Sequence, residues 1–115
     1  MVSELRGIVR FKFHEGKVEE FKRLSAQCLE IVRAKDTGTL QYDTFFNEDE
    51  SEAIVLERFT DSDALIQHGA NLAHLMEAIL ATGACYGELL GEPSAEIRAN
   101  LKGGPVQLFT PYQLM

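Results

Sequence analysis

LQYDTFFNEDESEAIVLERF, residues 40–59, holds two alternating apolar runs separated by a polar, acidic stretch. Leu40 to Phe46 and Ala53 to Phe59 each follow a period of two, the repeat of a β-strand. Asn47-Glu48-Asp49-Glu50-Ser51-Glu52 between them reads as the tip of an antiparallel hairpin. An amphipathic helix is expected on either side. Upstream, Val18, Phe21, Leu24, Cys28, Ile31 and Val32 recur three or four apart across Lys17 to Arg33, and Gly38 follows as a stop signal. Downstream, Thr60-Asp61-Ser62-Asp63 supplies N-cap chemistry ahead of Leu65, Leu72, Leu75, Met76 and Ile79. Gly69-Ala70-Asn71 is a weak point in this second helix, where Asn71 could cap a separate second half.

Working outward, Leu5 to Phe13 alternates as a first strand and Cys85 to Leu90 reads as a fourth. Ala95 to Leu101 is a short helix, Gly103-Gly104-Pro105 a turn, and Val106 to Tyr112 a fifth strand with Pro111 at an edge. The βαββαβ order predicts a ferredoxin-like α+β fold, an antiparallel sheet with its helices on one face, plus a C-terminal short helix and strand. Residues 1–115 are expected to form a single domain, with a core over about 5–90 and an extension over about 91–115. Ile54 and Leu56 are apolar on one side of their strand, Val55 and Phe59 on the other. A monomer would leave one such face in water, so a homodimer packed sheet to sheet is expected.

The composition narrows the partners. The 115 residues are 45% hydrophobic and 25% charged, ordinary values for a globular domain. Acids outnumber bases 18 to 11, a net charge of −7, and the basic residues are scattered, so no nucleic-acid surface is expected. No apolar run approaches a membrane span, and MVSELRG carries no hydrophobic signal segment. Cys28 and Cys85 form no metal-ligand spacing, and Cys28 reads as a small buried hydrophobe. A cytoplasmic location without a metal site fits these features.

Four motifs in order resemble one known family. Gly38-Thr39-Leu40-Gln41-Tyr42 resembles the Gly-x-Leu-x-Tyr start of the second strand in the antibiotic biosynthesis monooxygenase family. Ile54-Val55-Leu56-Glu57-Arg58-Phe59 is similar to that family's third strand, with Phe59 where Trp is common. Asp63-Ala64-Leu65, His68 and His74 resemble its Glu-Ala-Leu-x-x-His-x-x-Ser-x-x-His helix, with Asn71 in place of Ser. Gly16-Lys17-Val18-Glu19-Glu20-Phe21 resembles the start of its first helix. The resemblance covers about residues 5–82 and implies a dimeric α/β barrel. It also implies an oxygenase without metal, flavin or other cofactor, acting with O2 on an aromatic, (hydro)quinone-like or polyketide-like molecule. The haem-ligating position of haem-degrading relatives falls on Ala78, so haem is not expected. The resemblance further suggests that the terminal strand reaches across to the partner's sheet.

Such chemistry needs a base near neutral pKa, an apolar pocket and a donor for the anion. His68 lies on the stripe of Leu65, Leu72 and Leu75 and is the candidate catalytic base. Burial is expected to favour its neutral form. His74 falls on the opposite side of a continuous helix, and only a break near Asn71 would re-aim it. Arg10, Tyr42, Glu57, Asn71, His74 and Tyr86 are candidate substrate-binding residues. Arg10 and Glu57 read alternatively as an ion pair fixing sheet register, and His68 as a satisfied core histidine. Two other function classes stay open: a non-catalytic binding or stress-responsive barrel, and an isomerase or lyase moving protons through His68.

Overall fold

The computed structural model describes residues 3–115; Met1 and Val2, at the head of the stretch read for a signal segment, lie outside them. The chain runs β1 (Leu5–Phe13), α1 (Val18–Lys35), β2 (Thr39–Phe46), β3 (Glu52–Phe59), α2 (Ser62–Leu80), β4 (Gly83–Leu90), α3 (Ala95–Leu101) and β5 (Val106–Phe109). The strands lie in the order β2-β3-β1-β4-β5. The first four are antiparallel and β5 runs parallel to β4, so the sheet is mixed. This is the ferredoxin-like α+β arrangement.

Parity in β1 decides what the sheet presents to each side. Leu5 and Phe11 are buried beneath the helices, while Arg6 and Lys12 point the other way. Phe21, Leu24, Cys28 and Val32 of α1 and Leu72 and Ile79 of α2 close over Phe11, Ala53 and Val55 as the main core. A second cluster joins Leu5, Leu89 and Ile97, with Val106 and Leu108 packed against it.

Helix α2 is continuous from Ser62 to Leu80, so the expected weak point at Gly69-Ala70-Asn71 is no break. Asp61 caps it, its side chain accepting from the Ala64 N–H at 2.9 Å. One glycine in a helix costs about 1 kcal/mol. Burying Ala64, His68, Leu72 and Ile79 along one stripe outweighs that. Asn71 is consequently free to serve another partner. Among the described residues, no helix is long and apolar enough to cross a membrane.

The extension corrects one expectation. Strand β5 pairs with β4 of its own chain, Gly87 opposite Val106 and Leu90 opposite Phe109, and ends before Pro111. Residues 91–105, with α3, form the crossover that a parallel pairing requires. Deleting residues 103–115 should therefore uncover Leu89 and Ile97 and lower the thermal midpoint of the protomer by several degrees. Calorimetry on the truncated chain checks this. An unchanged midpoint would mean that the terminal strand contributes nothing to its own subunit.

Candidate active site

A cavity of about 210 Å³ lies between the helix pair and the sheet. Its walls are mostly apolar, from Phe11, Val55, Leu72 and Ile79, and Ser25, Tyr42, Glu57 and His68 bring polar groups into it. A wider groove along α1 and β2, about 560 Å³, is more open, and no histidine lines it.

His68 reaches the cavity because it stands three residues after Leu65 and four before Leu72, on the buried stripe of α2. The residue is 6% exposed and its ring sits between Phe59 and Tyr42, at centroid distances of 5.0 and 5.3 Å. Its Nδ1 lies 2.7 Å from Asp36 Oδ2. An ionised carboxylate only accepts hydrogen bonds, so this contact assigns a proton to Nδ1. Nε2 is left on the Glu57 side, 3.7 Å from Glu57 Oε2.

Asp36 is the residue that sequence reasoning missed. It is the C-cap of α1, its side chain only 1% exposed. Besides His68, Thr39 Oγ1 donates to it at 2.7 Å and Asn71 Nδ2 at 2.8 Å. A glycine makes this meeting possible. At Gly38 a Cβ would stand 2.6 Å from the Ala64 Cβ and 2.7 Å from Thr60 Oγ1. Only a residue without a side chain lets the α1–β2 turn press against the start of α2, where Thr60 N–H donates to Gly38 O at 2.9 Å. In the sequence, Asp36-Thr37-Gly38 looks like any helix-ending turn, and no local signal ties position 36 to position 68.

The electrostatics of the trio follow from this packing. Burial penalises charge on Asp36, but the hydrogen bonds from Asn71, Thr39 and His68 outweigh that penalty and hold its pKa below the ordinary value. Burial alone would also favour neutral His68, as expected from the sequence. The adjoining Glu57 and Asp36 carboxylates reverse the sign and raise its pKa above the ordinary value. Burial strongly raises the pKa of Tyr42, which stays a neutral phenol beside the Cys28 thiol. Both cysteines line the cavity, and burial pushes their thiols up as well.

The other expected site residues divide by strand parity. Glu57 and Tyr42 are register partners on the helix-facing side, and Asn71 joins through Asp36. Arg10 and Tyr86 are also register partners, but on the opposite face of the sheet. Arg10 donates from Nε and Nη2 to Glu88 Oε1 at 3.2 and 3.1 Å, so the expected Arg10–Glu57 ion pair does not form. His74 is exposed on the outer side of the unbroken α2, away from the cavity. Among the described residues, no group of three or more His, Cys, Asp and Glu is placed to hold a metal ion.

Comparison with known proteins agrees with the architecture. The chain superposes on MupZ from Pseudomonas fluorescens with a TM-score of 0.81 at 22% identity, over 97% of this chain and 93% of that one. Rv0793 from Mycobacterium tuberculosis gives 0.70 at 20% identity, covering 80% of this chain and 97% of that one. A variant of SnoaB, a cofactor-independent oxygenase from Streptomyces nogalater, gives 0.66 at 20% identity, over 76% and 90%. At such identities these likenesses establish the fold alone. No curated protein matches the sequence. The family model for antibiotic biosynthesis monooxygenases matches residues 5–76, from β1 through most of α2. That span includes Asp36, Glu57 and His68 as well as the four strands-and-helix motifs, and the chain belongs to the antibiotic biosynthesis monooxygenase family.

Proposed function

We propose that this protein is a cofactor-independent monooxygenase acting on an aromatic, (hydro)quinone-like small molecule, with His68 as its general base. The observation that carries the reading is the 2.7 Å contact of His68 Nδ1 with Asp36, which leaves Nε2 on the side of the apolar cavity. A ring held this way accepts a phenolic proton at Nε2, and Asp36 stabilises the resulting imidazolium. The deprotonated ring is electron-rich enough to reduce O2 itself. The substrate supplies all four electrons: one oxygen atom is retained by the ring, which ends as a quinone, and the other leaves as water. Family membership and the oxygenase activity named for SnoaB support this choice. At about 210 Å³ the cavity lies below the roughly 300 Å³ of common ligand sites, so one or two rings of a substrate fit it.

The protein works in this reading as a homodimer of single-domain protomers. Ile8, Ile54 and Leu56 are half-buried on the sheet face without helices, and Phe45 is 54% exposed there. Covering that face with a second copy removes it from water. Light scattering at micromolar concentration should report about twice 12.9 kDa. A stable monomer would overturn the sheet-to-sheet assembly.

Oxygen consumption over a panel of hydroquinones tests the reaction. A proton-transfer isomerase or lyase is the second reading, favoured by the Glu57 carboxylate beside a histidine of raised pKa. Proton exchange into a bound ketone without oxygen uptake would select it. Binding with neither activity would leave a binding protein.

A further inference from the structure

We infer that Glu57 is a specificity residue, which makes the His68 cavity select neutral, un-ionised hydroxyl compounds and reject acidic ones. The inference rests on the reading of this cavity as the substrate site. Glu57 carries a carboxylate whose side chain is only 14% exposed. Among the described residues its one cationic neighbour within 4 Å is His68, and 3.7 Å is too long for a hydrogen bond. Asp36, by contrast, accepts three hydrogen bonds from protein donors. Among the described residues no side chain donates a hydrogen bond to Glu57, so its carboxylate, still touched by solvent, has lone pairs open to a donor from whatever fills the cavity.

The backbone leaves room for Glu57 to lie there. Gly7 is its register partner on β1, and a Cβ at that position would come within 3.1 Å of Glu57 Oε1. A side chain at position 7 would crowd the carboxylate. With Gly7, Glu57 Oε1 has space over β1 while Oε2 stands 3.7 Å from His68 Nε2.

The charge count sets the sign of the selection. No Lys or Arg lines the cavity. Asp36 and Glu57 together carry two negative charges against at most one positive charge on His68. The site is therefore net negative whether or not the ring is protonated. A ligand hydroxyl that sits off the line joining Glu57 Oε2 and His68 Nε2, within reach of both, donates its proton to one and lies beside the other. A ligand carboxylate or phosphate there meets Glu57 as a like charge, which lowers its affinity by about tenfold or more. The substrate class is thus a neutral hydroxyaromatic that enters with its proton and loses it only inside.

Calorimetric titration near neutral pH with 2-naphthol and 2-naphthoate, two bicyclic probes of opposite character, tests this. Wild-type protein is expected to bind 2-naphthol at least about tenfold more tightly than 2-naphthoate. Glu57→Gln should weaken 2-naphthol and strengthen 2-naphthoate, collapsing the ratio. Glu57→Asp keeps the charge and should keep the exclusion, which covers the case of a Gln variant that fails to fold. Equal affinities in the wild type, an unchanged ratio in Glu57→Gln, or binding of neither probe would each overturn the inference. Selective naphthol binding with no oxygen uptake from any hydroquinone would sink the monooxygenase reading and leave the specificity role standing.

Discussion

His68→Ala is expected to reduce oxygen uptake by roughly 10²-fold or more, the scale of a lost general base, while the chain stays folded. The ring is 6% exposed between Tyr42 and Phe59, so its removal also leaves a void and lowers stability. His68→Gln separates the two effects, because Gln fills much of the space and keeps a hydrogen-bonding end toward Asp36 without a usable base. Both variants should lose turnover, and the Gln variant should keep more of the thermal midpoint. A midpoint that falls in both variants while turnover persists would mean a purely structural histidine. His74→Ala is the matched control. That side chain is exposed on the far side of α2, and its loss should leave turnover unchanged.

Asp36→Asn is expected to lower turnover by about 10²–10⁴-fold, although residue 36 does not touch the cavity chemistry directly. A carboxylate can only accept from Nδ1, which keeps the Nε2 lone pair available. An amide can instead donate to Nδ1 and drive the proton to Nε2, the wrong tautomer for a base. Losing the negative charge also lowers the His68 pKa, so the acidic limb of the kcat/KM profile should move to lower pH. A merely structural Asp36 would not shift that limb, and an unshifted profile would remove it as the positioning residue.

Stability carries the same signature with a definite sign. Asp36 has a lowered pKa, so its contribution is present above 3.8 and is lost as pH falls through the folded-state value. His68 has a raised pKa, so its contribution is present below 6.5 and is lost as pH rises through the folded-state value. The pair is thus strongest between 3.8 and 6.5. Urea denaturation should show wild type more stable than Asp36→Asn by about 1–3 kcal/mol near the middle of that window, and by less in alkali. Equal differences at both pH values would mean that the contact is not an ionic one.

The element order, the two helix stripes and the strand alternations were legible in the sequence because each is a local, periodic pattern of burial. The run from Leu40 to Phe59 determined the hairpin, and the spacing of Leu65, His68 and Leu72 determined that His68 faces the sheet. Strand parity was also present in the sequence. Arg10 shares its side with Arg6 and Lys12, and Glu57 shares its side with Val55 and Phe59. Tertiary structure decided what periodicity does not encode. It brought Asp36 from the end of one helix onto a histidine 32 positions away, through a turn that only Gly38 lets close. It kept α2 whole across Gly69, because burial of the stripe exceeds the cost of one glycine. It folded β5 onto β4 of its own chain. It also reversed the expected sign of the His68 shift: burial can be read from a helical stripe, but the two carboxylates that outweigh it come from β3 and the end of α1. Long-range meetings of this kind depend on how elements pack in three dimensions, and no window of the sequence contains both partners.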